Sequence, residues 1–293
     1  MQVRESNEFD SGLSPSDIAG QLRQLGLTEG STVLVHASLR QIGPIRGGGQ
    51  GLLQGIQQVV GPSGMIMVVS FSFGSVDPAC WFHPPDPEDL ENRRRETAPL
   101  SVHTPIDPCL GIFPRIVWDT PGARRSPCLS FVALGHRAEE LVANRDLGRS
   151  YGPTGPFGEL HKVDGWVLYA GVGFSAATSV HRAEDQMDLP YLVRDVPLRY
   201  KISEGEWIQF DEGRDYGCSA HFKSVIPVLQ ASGALKEGKV GQADSYLVRH
   251  NHVVQAAISL LQSDRAALLC NNPDCEWCVR AQQILADERM GSN

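Results

Sequence analysis

Two periods of apolar residues run along the chain, and their alternation predicts the elements. Ser14-Pro15-Ser16-Asp17 opens a helix: Ser14 supplies a cap, Pro15 suits the first helical position, and Asp17 meets the positive helix end. Ile18, Leu22 and Leu25 follow at helical spacing, and Gly26 stops the helix. The apolar run Thr32–His36 predicts a buried strand. A Gly-rich loop from Gly43 to Gly51 leads into a helix whose apolar face is Leu52, Leu53, Ile56, Val59 and Val60. Gly61-Pro62-Ser63-Gly64 then turns the chain into a second strand, Met65–Ser70. From Val76 to Thr104 periodicity is absent and Pro and charge dominate, which predicts a long loop of the lid or binding type.

Downstream, Leu110–Trp118 predicts a helix, Leu129–Leu134 a strand ending at Gly135, and Arg137–Ala143 another helix. Asp164-Gly165 turns into strand Trp166–Ala170, and a loop leads to a helix beginning near Ser179. VPLRYKI-SEGE-WIQF reads as a hairpin, and Cys218–Ala231 and Ala243–Leu261 as helices. This order argues for an α/β fold: a mixed central sheet with helices on both faces, a hairpin insertion and a helical C-terminal region. One domain is expected over residues 1–293, with a lid-like insertion at about 76–104 and a Cys-rich segment at 268–282.

The formal net charge of −8 and the lack of a basic stripe speak against a nucleic-acid partner. An acidic protein can instead attract a polycationic small molecule. No run of about eighteen apolar residues occurs, so no membrane partner is expected. The start, MQVRESNEFDSG, lacks the regions of a signal peptide, and the cytoplasm is the expected location.

The stretch WVLYAGVGFSAATSVHRAE, Trp166 to Glu184, carries the most chemistry. A buried strand ends in Gly171 and Gly173, Thr178 or Ser179 can cap a new helix, and His181 falls in its first turn. Glu184 lies one turn later on the same face. The positive helix end disfavours an imidazolium, and a carboxylate on the second ring nitrogen would fix the tautomer. Spacing alone leaves open a histidine that merely packs or caps.

LYAGVGFSAATSVHRAE resembles the signature of the aminoglycoside 3-N-acetyltransferases, acetyl-CoA-dependent antibiotic N-acetyltransferases. VLVHASLRQIGPI is similar to the family's early strand and following loop, and IDPCLGIFPRIVWDTPGARRSPCLSFVALG to its central stretch. Tyr151-Gly152 and Gly155-Pro156 resemble the segment before the catalytic strand. The resemblance implies that His181 is the general base, with Glu184 and Asp215 as the acids that orient it. It also implies that His36, Ala37, Ser38, Leu39, Ser126 and Phe131 serve acetyl-CoA, and that Ser70, Phe71 and Asp185 face the substrate. Two departures put the choice of substrate in question: Ser126-Pro127 replaces a His-Pro pair, and the second strand runs on as Val69-Ser70-Phe71-Ser72-Phe73.

The implied reaction is acetyl transfer from acetyl-CoA to an aminoglycoside amine, at the 3-amino group of the deoxystreptamine ring, and it confers resistance. Acidic residues of the charged loop, Asp86, Glu88, Asp89 and Glu91, could meet the drug's ammonium groups. Three alternatives stay in view: a same-fold N-acyltransferase acting on another amine, a ping-pong route through Cys128, and a binding module without catalysis. A homodimer stays open as an assembly.

Seven cysteines in a reducing compartment argue against a disulfide framework. CNNPDCEWC brings Cys270, Cys275 and Cys278 together, and its Cys-x-x-Cys pair has the spacing of a zinc knuckle. Cys218 is the first candidate for a fourth ligand and His221 the second. Such a structural zinc would fasten the C-terminal helix to the body, apart from the acetyl transfer.

Overall fold

The computed structural model describes residues 12–81, 83–127, 129–143, 150–187, 189–193, 198–210 and 216–291. Helix α1, Pro15–Leu25, starts at a reciprocal capping box in which Ser14 Oγ accepts from the Asp17 amide and the Asp17 carboxylate accepts from the Ser14 amide. It buries Ile18, Leu22 and Leu25, each worth roughly 1.5–3 kcal/mol. Strand β1 is Thr32–Ala37, the short helix α2 is Leu39–Ile42, and helix α3 is Gly48–Val60. Helix α3 therefore begins inside the stretch expected to be loop. Its glycines let it lie flat on α1: a Cβ at Gly55 would stand 2.7 Å from the Ile18 side chain. Strand β2, Met65–Val69, is wholly buried.

The charged insertion differs from the loop expected for it. It contains helix α4, Pro87–Glu96, which has no buried residue and so gives no apolar period. Side chains hold it instead. The buried Asp77 carboxylate accepts from Arg94 at 2.9 Å and pairs with Arg199 at 3.1 Å.

Helix α5, Phe113–Trp118, strands β3, Arg124–Arg125, and β4, Phe131–Gly135, and helices α6, Ala138–Val142, and α7, Pro156–Lys162, follow. Next come strand β5, Trp166–Ala170, helix α8, Ser179–Gln186, and the hairpin β6, Leu198–Ser203, and β7, Glu206–Phe210. The end of the chain is helix α9, Val225–Ala231, strands β8, Lys236–Val240, and β9, Ala243–Arg249, and helices α10, His250–Ser263, and α11, Glu276–Gly291. The helix expected over Ala243–Leu261 is therefore corrected to a strand and a helix that meet at Arg249–His250. The hairpin stands where expected.

Among the described residues, seven strands form one sheet in the order β3-β4-β2-β1-β5-β9-β8. Strands β2, β1 and β5 are parallel, while β4 and β9 flank them antiparallel. The mixed sheet expected from the sequence is thus present. Alternate residues of β1 feed two cores: Val33 and Val35 pack with α1 and α3 on one face, and Leu34 packs toward α8 and α10 on the other. No helix of the described residues is long and apolar enough to cross a membrane.

Candidate active site

The parallel strands carry their carboxyl ends to one edge of the sheet, where ligands bind in open α/β sheets. There β1 delivers His36 to Ser38, β2 delivers Ser70 and Phe71, and β5 delivers Gly171 and the loop before α8. Gly171 makes the reversal possible. Its φ is +70°, and a Cβ would stand 2.8 Å from Gln41 Cβ and 3.0 Å from Ala243 Cβ.

His181 lies in the first turn of α8, as the spacing predicts. Its Nδ1 is 2.6 Å from Glu184 Oε2, and the side chain keeps 9% of its surface exposed. With Nδ1 donating to the Glu184 carboxylate, a neutral ring would present Nε2 as its acceptor. Tyr151, Tyr216 and Phe222 surround the ring, with centroids at 5.1, 5.1 and 5.0 Å. The imidazole is held by one charge-assisted bond and three aromatic walls.

The expected capping of α8 by Thr178 or Ser179 is not found; both hydroxyls have other partners. Thr178 Oγ1 lies 3.2 Å from His36 Nε2, and Ser179 Oγ lies 2.9 Å from His250 Nδ1. Burial pushes His36 down to about 4, so it is neutral at pH 7 and stacks on Tyr169 with centroids 5.4 Å apart. Burial, with His161 and Arg182 nearby, pushes His250 down to about 3. These contacts pin the start of α8 to β1 on one side and to α10 on the other.

Other residues singled out in the sequence fall in varied places. Ala37, Ser38 and Leu39 are half-buried at the edge, and the Ser38 amide donates to the Ala170 carbonyl at 2.9 Å. Ser126 and Phe131 are buried, and so is Ser70. Ser126 Oγ accepts from the Phe131 amide at 3.1 Å, and the Phe131 ring packs on Phe157 at 4.8 Å. Ser70 Oγ donates to the Leu129 carbonyl at 2.9 Å, and its own carbonyl accepts from Arg125 at 2.7 Å. The structure therefore gives these three side chains internal partners, and the Phe131 ring also packs edge-on to Tyr151 at 6.2 Å. Phe71 is half-buried against Phe131. The buried Asp185 carboxylate accepts from Arg182 Nη1 and from Tyr216 Oη, both at 3.1 Å. Asp215 and Cys128 lie outside the described residues.

Sequence reasoning missed Tyr216 and Phe222 entirely, and it used Tyr151 only as part of a motif. They reach His181 from 30 to 41 positions away, and no periodicity links such positions. Arg125 was missed as well. Its buried guanidinium also donates to the Val102 carbonyl at 3.1 Å and to the Thr104 carbonyl, tying the insertion to the end of β2.

The three cysteines picked from spacing and Cys218, the first candidate for a fourth ligand, do meet. The Sγ atoms of Cys218, Cys270, Cys275 and Cys278 all lie within 4.8 Å of one another, with Cys218 and Cys270 at 3.8 Å. Burial pushes the Cys218 and Cys278 thiols up, whereas a backbone bond from Asn272 holds Cys270 down. Amides of Ala220 and Cys270 donate to Cys218 Sγ and Cys278 Sγ at 3.4 and 3.3 Å. Four cysteine sulfurs within one ion's reach, two of them accepting from N–H donors, suit a tetrahedral zinc.

Comparison with known proteins shows the family. The chain is 30% identical to aminoglycoside N(3)-acetyltransferase IV of Salmonella sp over 251 residues, covering 85% of this chain and 87% of the relative. Crystal structures of aminoglycoside acetyltransferase AAC(3)-IVa, as apoenzyme and as a variant in complex with gentamicin, superpose with a TM-score of 0.77 at 28% identity. They cover 93% of this chain and 98% of theirs. A structure described as AAC-IIIb binary with CoASH superposes at 0.73 and 25% identity, covering 86% of this chain and 97% of that one. Residues 34–262 match the model of the family described as aminoglycoside 3-N-acetyltransferase. The chain belongs to the aminoglycoside 3-N-acetyltransferase family.

Proposed function

We propose that this protein transfers the acetyl group of acetyl-CoA to the 3-amino group of an aminoglycoside's deoxystreptamine ring, with His181 as general base. The observation that carries the reading is the 2.6 Å His181–Glu184 pair at the carboxyl edge of the sheet, in a chain of this family. An amine attacking a thioester gives a zwitterionic tetrahedral adduct, and its N–H proton must leave. Nε2 of His181 takes that proton while the carbon–sulfur bond breaks and the CoA thiolate departs. The carboxylate of Glu184 stabilises the imidazolium as it forms. Such a base supplies about 10²–10⁴-fold in rate, and positioning the amine supplies more. Asp215 is a second orienting acid in this reading.

Acetyl-CoA as co-substrate is supported by the relative that binds CoASH. In this reading its pantetheine arm and diphosphate run along Ala37, Ser38 and Leu39. The gentamicin-bound relative supports an aminoglycoside as acceptor. The exposed carboxylates of Asp86, Glu88, Asp89 and Glu91 on and beside α4 supply charge of the right sign for its ammonium groups. Acetylation removes one of those positive charges, which weakens the drug's hold on anionic targets and confers resistance. A zinc ion on Cys218, Cys270, Cys275 and Cys278 would supply a structural crosslink and takes no part in the transfer.

The test is thiol release from acetyl-CoA with a panel of aminoglycosides, followed by NMR of the product. Turnover with acetyl on the 3-amino nitrogen supports the reading. Acetylation only of other amines, or no turnover on any drug, overturns it.

A further inference from the structure

Cys218 lies two residues from Tyr216 and four from Phe222, two of the three rings that wall His181. The segment 216–221 has no helix or strand of its own. Contacts with α11 and with α8 fix it. Cys218 Sγ sits in the cluster with Cys270, Cys275 and Cys278. Gly217 lies against Trp277, so closely that a Cβ would stand 2.2 Å from the ring atoms. Trp277 and Cys278 are both buried at the start of α11, and Trp277 packs edge-on to Tyr191 at 5.7 Å. Tyr216 Oη then reaches Asp185, one residue beyond Glu184.

We infer that the four-cysteine site holds a zinc ion whose purpose is to position the aromatic wall of His181 through Cys218. The ion joins α11, the Cys270 turn and the 216–221 segment at one point. Without it, the segment loses one of its anchors, and Tyr216 and Phe222 gain freedom to shift. Glu184 would still accept from Nδ1, but the imidazole would lose two of its three packed faces. Tyr216 and Phe222 are positioning residues here, and the metal acts at one further remove. Thiolate ligands select zinc over the hard cations.

This inference rests on the proposed role of His181, and its test separates the two. The full-length protein is purified and its metal content measured, then compared with Cys275→Ser, Cys275→His and Cys109→Ser. Cys275 is half-buried in the four-cysteine cluster, and Cys109 is an exposed thiol outside it. The expected result is one zinc per chain in the parent, in Cys109→Ser and in Cys275→His, and its loss in Cys275→Ser. With that loss kcat should fall about 10- to 100-fold while KM for acetyl-CoA changes less than about twofold. Cys275→His should restore kcat.

The second readout needs no turnover: the ¹⁵N and ¹H signals of the His181 ring, assigned with His181→Gln. Treating the parent with a chelator should broaden or shift them, and added zinc should return them. A parent without metal overturns the inference, and so does metal loss that leaves both kcat and the ring signals unchanged. Global unfolding on metal removal, seen in far-ultraviolet dichroism, overturns it too, because the ion would then hold the whole fold. Failure of the parent to acetylate any aminoglycoside removes the proposed function, while the ring signals still decide whether metal and His181 are coupled.

Discussion

Helices α8 and α4 are both dense in charge, yet seven of the eight residues of α8 are buried and none of α4 is. Both use pairs three residues apart. In α8 these are His181–Glu184 and Arg182–Asp185; in α4 they are Arg93–Glu96 and Arg94–Glu91. The same spacing has different consequences. On α4 water screens the pairs, and each is worth well under about 1 kcal/mol. On α8 a lone charge would be stranded in the core, so every charge must find its partner, and the partners fix geometry. Arg94, which reaches the buried Asp77, gives α4 a similar anchor.

The largest effect expected from this contrast is on stability. Arg182→Ala leaves the Asp185 carboxylate buried with one charge partner removed, and unfolding by urea should show a loss of about 3–5 kcal/mol. A loss below about 1 kcal/mol would show that the buried helix is no more demanding than the exposed one.

Acid should expose the buried histidines next. His36 is held down to about 4 and His250 to about 3, both chiefly by burial, against 6.5 for a free imidazole. The unfolded chain takes up protons below about 6.5 while the folded chain does not, so their contribution is complete above pH 6.5. It is lost as the pH falls toward about 3, by on the order of 3 kcal/mol per group. Melting temperature followed from pH 7 to pH 4 should fall, and less steeply in His36→Gln. A flat profile would contradict the burial of these rings.

Glu184→Gln keeps the shape of α8 and removes the charge behind His181. A fall in kcat of about 10- to 100-fold, with a smaller change in KM, is expected in steady-state assays. Smallest of all is Arg93→Ala, on the exposed helix: a shift of about 0.5 kcal/mol or less in the same urea titration.

The contrast also explains what could be read from the sequence. Strands β1, β2, β4 and β5 are short apolar runs bounded by turn residues, and His181 and Glu184 stand three apart in one motif, so sheet and pair were visible. Cys270, Cys275 and Cys278 were visible through their spacing, whereas Cys218, distant in sequence, was one of two candidates for the fourth ligand. Helix α4 was not, because with no apolar face its periodicity has nothing to display. Strand β9 was hidden because it passes into α10 at Arg249–His250 without Gly or Pro. Strand β8 is an edge with Val240 alone buried, which leaves almost no pattern. Tyr216 and Phe222 reach His181 through tertiary folding alone, and local sequence holds no trace of that contact.

The most direct test of the central claim is single-turnover acetyl transfer by the parent and by His181→Ala, each shown to bind acetyl-CoA equally well. The account predicts a rate lower by about 10²–10⁴-fold in the variant, with the affinity for acetyl-CoA unchanged. A variant that transfers acetyl within about twofold of the parent rate would contradict it, since the proton would then leave the amine by a route that does not use this imidazole.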